Sequence, residues 1–534
     1  MISMHYPSII PQPVKINLEI DEFYLSKDTI ISVDLALQHL GNYVHKKLLD
    51  DIKLECSLSN EISSFNSIVL SFNENLSKLG EEGYSLKVNS EKILIQGVHE
   101  RGLFYGIQTL RQLIPLSPTK NNLWQIQGIS IIDYPRFPWR GFMLDEGRHF
   151  QGKTIVKRTL DLLAFHKLNK FHWHLTEDQG WRIQINKFPK LTEIGSSRKS
   201  SQIGGYRSFL RGKQKGPPHQ GFYTQADIHE IVNYASQRFI EIIPEIDLPG
   251  HSMALLAAYP EYSCTEGPFE VSSTWGIKKD VLCVGKESTF QFLEEIFREL
   301  FSLFPSKYFH FGGDEVPKDR WKECPDCQKR LLDEQLTDEE ALQKYFTNRI
   351  GNFLLKNDKI PIGWNEIITE KFEDLKQEII SQHWLRKDDL VLTHLQQGRK
   401  FIISKFFYTY LDYPYFMTPL RKVYNFEPIP STLTEEYHGN IVGIEAPLWT
   451  EWVPRLDRFD WQVFPRLTAI AETAWSQPAN KNYQDFRRRL SYFLKRLDKM
   501  GVKYAKESVV DPTWLKRLFT PILMFRDPNN NVTK

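Results

Sequence analysis

The chain predicts an α/β protein, a (β/α)8 barrel preceded by a small α+β domain. From Trp139 onward, eight short apolar runs alternate with longer stretches of helical periodicity, the pattern of a parallel barrel. Before that point the texture differs: short runs rich in β-formers are separated by Gly, Asn and Glu clusters. Polar and aromatic residues also gather at the C-terminal ends of the eight runs, the rim on which barrels carry their chemistry. A doubly wound open sheet is the competing class. It is disfavoured because no glycine-rich phosphate loop follows the first strand of the series. No self-similar period of solenoid type is present.

In the N-terminal part, Ile68–Phe72, Tyr84–Val88 and Lys92–Gln96 read as strands. A helix is expected over Glu100–Leu113, with Leu103, Gly106, Ile107 and Leu110 on one face and Pro115 and Pro118 breaking it. The expected module is this helix packed on an antiparallel sheet, spanning residues 1–135, with Asp133–Pro138 leading into the next domain. The barrel is expected over 136–505, its strands beginning near Arg140, Lys170, Glu241, Tyr308, Ile360, Glu378, Lys400 and Asn440. Helices are expected over Thr154–Lys167, Gln225–Phe239, Ser288–Phe304 and Glu340–Leu355, with a last one from Tyr483. Residues 506–534 read as a C-terminal tail with a polar, frayed end.

Composition narrows the partners. The 534 residues carry 68 basic and 66 acidic groups, a net charge of +2, which argues against nucleic acid or an anionic membrane. Mean hydropathy is −0.41 with 41% hydrophobic residues, so a large core can form and wholesale disorder is excluded. There is no apolar run of transmembrane length and no visible leader, so a cytoplasmic location is expected. Five cysteines are too few for a disulfide scaffold. Cys324-Pro-Asp-Cys327 has C-x-x-C spacing, but no second such pair completes a zinc site, and ordinary thiols are expected. Pairing of Cys264 with Cys283 is left open.

The strand ends carry the functional signal. In His310-Phe-Gly-Gly-Asp-Glu-Val316, two glycines precede adjacent carboxylates. The glycines permit a bend, and Asp314 and Glu315 at different depths can be tuned apart, one a proton donor and one an anion. An acidic pair serving a helix start explains the same residues less specifically. His172-x-His174 places two rings on one face of a strand, so a zinc-dependent barrel hydrolase is an alternative. Against it, the strand continues to Asp178, which sets the rings below the rim. His251 follows a Pro-Gly turn at the rim, where it can orient a carboxylate. Trp364, Trp384, Trp449 and Trp452 sit near strand ends, fit to stack on the C–H faces of a pyranose. Arg140 and Arg148, with Asp412 and Glu451, offer partners for hydroxyls.

These blocks together resemble glycoside hydrolase family 20, the β-N-acetylhexosaminidases. The blocks are Trp139–Phe150, His172–Arg182, Pro244–His251, His310–Val316, Gly363–Glu366 and Leu448–Trp452, and Arg101–Arg111 resembles the family's small domain. The resemblance implies an exo-acting enzyme that releases terminal β-linked GlcNAc or GalNAc with retention, the substrate's own 2-acetamido group acting as nucleophile. It implies Glu315 as general acid and base, Asp314 as acceptor for the acetamide N–H and Tyr410 as donor to the acetamide oxygen. It implies a relay of Asp178 and His251 behind Glu315, with Asp178 preferred over Glu177. Arg140, Asp412 and Glu451 would hold ring hydroxyls, and Trp364, Trp384 and Trp449 would line the sugar pocket. The partner is an amino-sugar glycan, and no metal or organic cofactor is needed. A barrel that binds amino sugars without hydrolysing them is the remaining alternative.

Overall fold

The computed structural model describes residues 7–63, 65–203 and 214–514. Seven N-terminal strands form one sheet: β1 (Lys15–Leu25), β2 (Ile30–Val33), β3 (Ser57–Ser59), β4 (Ser67–Phe72), β5 (Tyr84–Val88), β6 (Lys92–Gly97) and β7 (Trp124–Asp133). Their order is β1-β7-β5-β6-β4-β2-β3. Burial alternates along β5 and β6, as it does on strands with one face in a core. The sheet expected to be antiparallel is mixed. Pairs β1/β7, β7/β5 and β5/β6 are antiparallel, whereas β6/β4, β4/β2 and β2/β3 are parallel. The helix Gln38–Ile52 lies between β2 and β3 in the chain, and such a crossover returns the chain in the same direction. The second helix, Glu100–Leu113, has the predicted bounds.

The barrel strands are β8 (Trp139–Asp145), β9 (Lys170–His174), β10 (Glu241–Leu248), β11 (Tyr308–Gly312), β12 (Ile360–Trp364), β13 (Ile380–His383), β14 (Phe401–Ile403) and β15 (Ile441–Leu448). They close in sequence order, β15 meeting β8, and each observed start lies within two residues of the expected one. Their near-continuous burial, complete along β8, is what a parallel sheet covered on both faces requires. Alternating helices include Lys153–Phe165, Gln225–Ser236, Glu287–Leu303 and Glu339–Lys356.

By packing, the chain divides into two compact units. One comprises residues 1–140, 162–168 and 464–504; the other comprises 141–161, 169–463 and 505–534. The helix Tyr483–Lys499 belongs to the first unit, where Arg489 pairs with Glu472 at 2.6 Å and donates to the Ile9 carbonyl at 2.8 Å. In the expected tail, Glu507–Val510 forms one helical turn, and residues beyond 514 lie outside the described residues. Among the described residues no helix is long and apolar enough to cross a membrane.

Candidate active site

The paired carboxylates leave the barrel at the end of β11. Gly312 and Gly313 have φ of 73° and 99°, a region open to glycine at little cost. A Cβ on Gly312 would lie 1.7 Å from Asp247 Oδ1, so no other residue fits there. The bend turns the chain out of the strand and gives the two carboxylates different surroundings. The Asp314 side chain is 11% exposed and that of Glu315 37%. Glu315 itself has φ of 49°, a strained position of the sort found at functional sites. Gln343 donates to the Gly313 carbonyl at 2.8 Å and fixes the turn. Burial pushes the Asp314 carboxyl up to about 6 against the pull of His251. Its Oδ1 is buried and accepts no hydrogen bond among the described residues.

His251, from the turn after β10, connects these carboxylates to a second acidic pair. Its Nε2 faces Asp314 Oδ2 at 3.8 Å and Glu315 Oε2 at 3.7 Å. Its Nδ1 lies 2.8 Å from Glu177 Oε1 and 3.4 Å from Asp178 Oδ2. Burial opposes charging of the ring, yet Glu177 and Asp178 hold it well above the ordinary imidazole range. The choice of Asp178 over Glu177 does not survive as a choice, since His251 meets both. Glu177 is the nearer and also pairs with Arg148. Although burial raises it, Arg148 and His251 bring its carboxyl down to about 2. Asp178 accepts from the Met253 N–H at 3.1 Å, and burial together with the Glu177 charge raises its carboxyl.

The aromatic residues form the opposite wall. Trp364 and Trp449 meet at 5.8 Å between ring centroids, and Trp384 stacks on Tyr410 at 6.0 Å. Trp364 Nε1 donates to Glu245 at 2.9 Å, and the Tyr410 and Trp449 rings lie 6.4 Å apart between centroids. Trp452 stands further along, edge-on to Trp275. Tyr410 and Asp412 are not on the end of β14, as the strand reading places them. The strand stops at Ile403, a turn of helix covers Phe406–Thr409, and the chain then passes beside the C-terminal end of β15. There the Leu411 N–H donates to the Pro447 carbonyl at 2.8 Å, while Gln462 holds the Asp412 carbonyl at 2.7 Å. Glu451 follows β15, and burial raises its carboxyl against the pull of Arg148.

Arg140 is not part of this site. It lies at the N-terminal end of β8, where its guanidinium is bidentate to Glu82 at 2.8 and 2.9 Å. It also donates to the carbonyls of Phe137 and Lys167. Arg148, beyond the C-terminal end of the same strand, takes its place at the rim. It pairs with Glu177 and lies 4.8 Å over the Trp449 ring, joining the acidic and aromatic sides. Glu366 was also missed. Burial and the Asp314 charge push it up to about 8, and it accepts from Trp384 Nε1 at 2.9 Å. The available signal was its place in Gly363-Trp-Asn-Glu366, at a strand end.

The paired histidines sit in the barrel interior, as expected from their depth. His172 contacts Glu445 at 2.7 Å and Glu245 at 2.9 Å. His174 and His310 approach Glu245 at 2.5 and 2.8 Å. Burial disfavours a charged His172, but Glu445 and Glu245 raise it to about 10. A ring held protonated by two carboxylates is a poor metal ligand. This network supports Trp364 from below.

Comparison with known proteins agrees with this geometry. The profile of "Glycosyl hydrolase family 20, catalytic domain" matches residues 137–478, and that of "Glycosyl hydrolase family 20, domain 2" matches residues 6–134. A Porphyromonas gingivalis "Beta-hexosaminidase" is 38% identical over 525 residues, covering 93% of this chain and 64% of its own length. This chain therefore spans just under two thirds of that relative. A crystal structure of a Vibrio harveyi "GH20 Exo beta-N-Acetylglucosaminidase" with N-acetylglucosamine superposes with a TM-score of 0.83 at 31% identity, covering 94% of this chain and 79% of that one. The Streptomyces coelicolor "GH20 beta-N-acetylhexosaminidase" gives 0.80 at 29% identity, covering 95% and 99%. With both domain profiles matched in order, and with carboxylates, histidine and tryptophans gathered on one barrel rim, the chain belongs to glycosyl hydrolase family 20.

Proposed function

We propose that this protein is an exo-acting β-N-acetylhexosaminidase that removes terminal, non-reducing β-linked GlcNAc or GalNAc with retention. The observation that carries the reading is the buried Asp314 Oδ1, which has no hydrogen-bond donor among the described residues and stands beside a more exposed Glu315. A buried carboxylate oxygen needs a donor, and an acetamide N–H supplies one. The aligned acetamide oxygen attacks the anomeric carbon as the bond to the leaving oxygen breaks, and Glu315 gives that oxygen its proton. The resulting oxazolinium cation is stabilised by the Asp314 carboxylate. Glu315 then takes a proton from water, which adds to the anomeric carbon and reopens the ring, so configuration is retained.

His251, backed by Glu177 and Asp178, holds charge beside Glu315. Tyr410 donates to the acetamide oxygen. Trp364, Trp384 and Trp449 line the pocket, and Asp412, Glu451 and Arg148 take the hydroxyls. The partner is a neutral amino-sugar glycan, consistent with the small net charge.

The test is hydrolysis of a β-GlcNAc disaccharide and of the matching β-glucosamine disaccharide, which lacks the acetyl group. Cleavage of the first alone is expected. Equal cleavage of both would remove the substrate-assisted reading.

A further inference from the structure

Four of the five cysteines come together away from the acidic site. Cys264 and Cys283 belong to the long segment after β10, and Cys324 and Cys327 flank the start of the helix Pro325–Asp333 in the segment after β11. Their sulfurs all lie within 4.8 Å of one another. Cys264 Sγ is 3.8 Å from Cys327 Sγ, and Cys283 Sγ is 3.6 Å from Cys324 Sγ and 3.7 Å from Cys327 Sγ. A tetrahedral zinc ion with Zn–S bonds of about 2.3 Å places its four sulfurs about 3.8 Å apart. A disulfide would need about 2.05 Å. Three of the four side chains are buried and Cys264 is half-buried.

The surroundings fit a thiolate cluster. Gly285 lies so close to the Asp326–Cys327 peptide that a Cβ would come within 2.3 Å of Cys327 N. The two segments thus pack backbone against backbone at Gly285. The helix Pro325–Asp333 points its N-terminus at the cluster, which favours negative charge there. Trp321 donates to the Leu282 carbonyl at 2.9 Å and Arg320 pairs with Asp280 at 2.7 Å, so the two segments already meet around the sulfurs.

We propose that Cys264, Cys283, Cys324 and Cys327 form a structural zinc site with four cysteine ligands. Four thiolates complete a tetrahedral shell and leave no position for water or substrate, so the metal takes no part in hydrolysis. It ties the segment that follows His251 to the segment that follows Asp314 and Glu315. The first segment also backs the acidic pair, because the Ser272 N–H donates to the Asp178 carbonyl at 2.9 Å and Gln179 to the Thr274 carbonyl at 2.9 Å. The ion is therefore a positioning element for the two loops.

The experiment uses the full chain. Elemental analysis of protein purified without added metal is expected to give one zinc per chain. Intact mass under denaturing, non-reducing conditions is expected to show no disulfide. Replacement of zinc by Co(II) is expected to produce the intense visible and near-ultraviolet bands of tetrahedral cobalt thiolate. Cys327→Ser should lose the metal and lower Tm, whereas Cys56→Ser should keep it. Where Cys327→Ser fails to fold, the wild-type mass and metal content decide alone. A wild-type mass lowered by one or two disulfides without zinc, or free thiols without zinc, would overturn the proposal.

Discussion

Asp314→Asn separates the cost of the site from its use. The carboxyl ordinarily ionises at 3.8 and in the folded chain at about 6, because burial disfavours the anion more than His251 rescues it. Each pH unit of displacement is about 1.4 kcal/mol, so the charged form destabilises the fold by about 3 kcal/mol at neutral pH. The sign follows from proton binding. Between the two values the folded chain keeps a proton that the unfolded chain has released, so stability falls as pH rises through this window. Asparagine has nearly the same shape and no charge at any pH. The variant is expected to be more stable than wild type at pH 7 by up to about 3 kcal/mol, with the gap closing as pH is lowered from 6 towards 4. Turnover of a β-GlcNAc disaccharide should nevertheless fall by roughly 10²–10³-fold, the usual loss when one preorganised electrostatic partner of a transition state is removed. The assay is denaturant unfolding of both proteins at pH 7, 5.5 and 4.5, with initial rates alongside. A variant less stable than wild type at pH 7, or a gap independent of pH, would refute the account of Asp314 as a disfavoured buried anion. Unchanged turnover would refute its role with the acetamide.

Glu315→Gln should cost roughly 10²–10⁴-fold on a disaccharide, whose leaving group needs a proton, and much less on a nitrophenyl glycoside; similar losses on both would remove the general-acid role. Because its side chain is 37% exposed, Tm should stay unchanged. Arg148→Met and Arg140→Met should differ in kind. The first should raise KM; the second should mainly lower stability, because the half-buried Glu82 loses its partner, and a KM effect from Arg140→Met with unchanged Tm would reverse the assignment. Glu177→Gln should move the pH profile of kcat/KM more than Asp178→Asn does, because Glu177 is nearer His251; the opposite order would restore Asp178 as the principal relay carboxylate.

The barrel was legible because a parallel strand buried on both faces leaves a continuous apolar run, and eight such runs have only a few ways to close. The N-terminal sheet was less so. β1 runs Lys15–Leu25 with its burial broken by a register shift between Leu18 and Glu22, and that irregularity hides the period of two. The helix Gln38–Ile52 is mildly amphipathic and lacks a capping side chain at its start. Missing it meant missing the crossover that makes half the sheet parallel.

In the site, residue type was easier to read than direction. Arg140 and Arg148 lie on the same strand and its continuation, eight positions apart in sequence, and both suit a hydroxyl. Only strand polarity distinguishes them: Arg140 enters the barrel and Arg148 leaves at the rim. Tyr410 and Asp412 come from the loop beyond β14, past a turn of helix and beside Pro447 near the end of β15, so they are not on the strand itself. The cysteines show the same limit at longer range. A motif search asks for two C-x-x-C pairs because each pair is local. Here one half of the cluster is local, and the other consists of Cys264 and Cys283, brought together by the antiparallel bridge between Ser263 and Leu282. In that register the Cys283 N–H donates to the Tyr262 carbonyl at 2.8 Å, so the two cysteines stand diagonally across the bridge. Chain proximity was a proxy for proximity in space, and a β-bridge supplies the same proximity without leaving a motif.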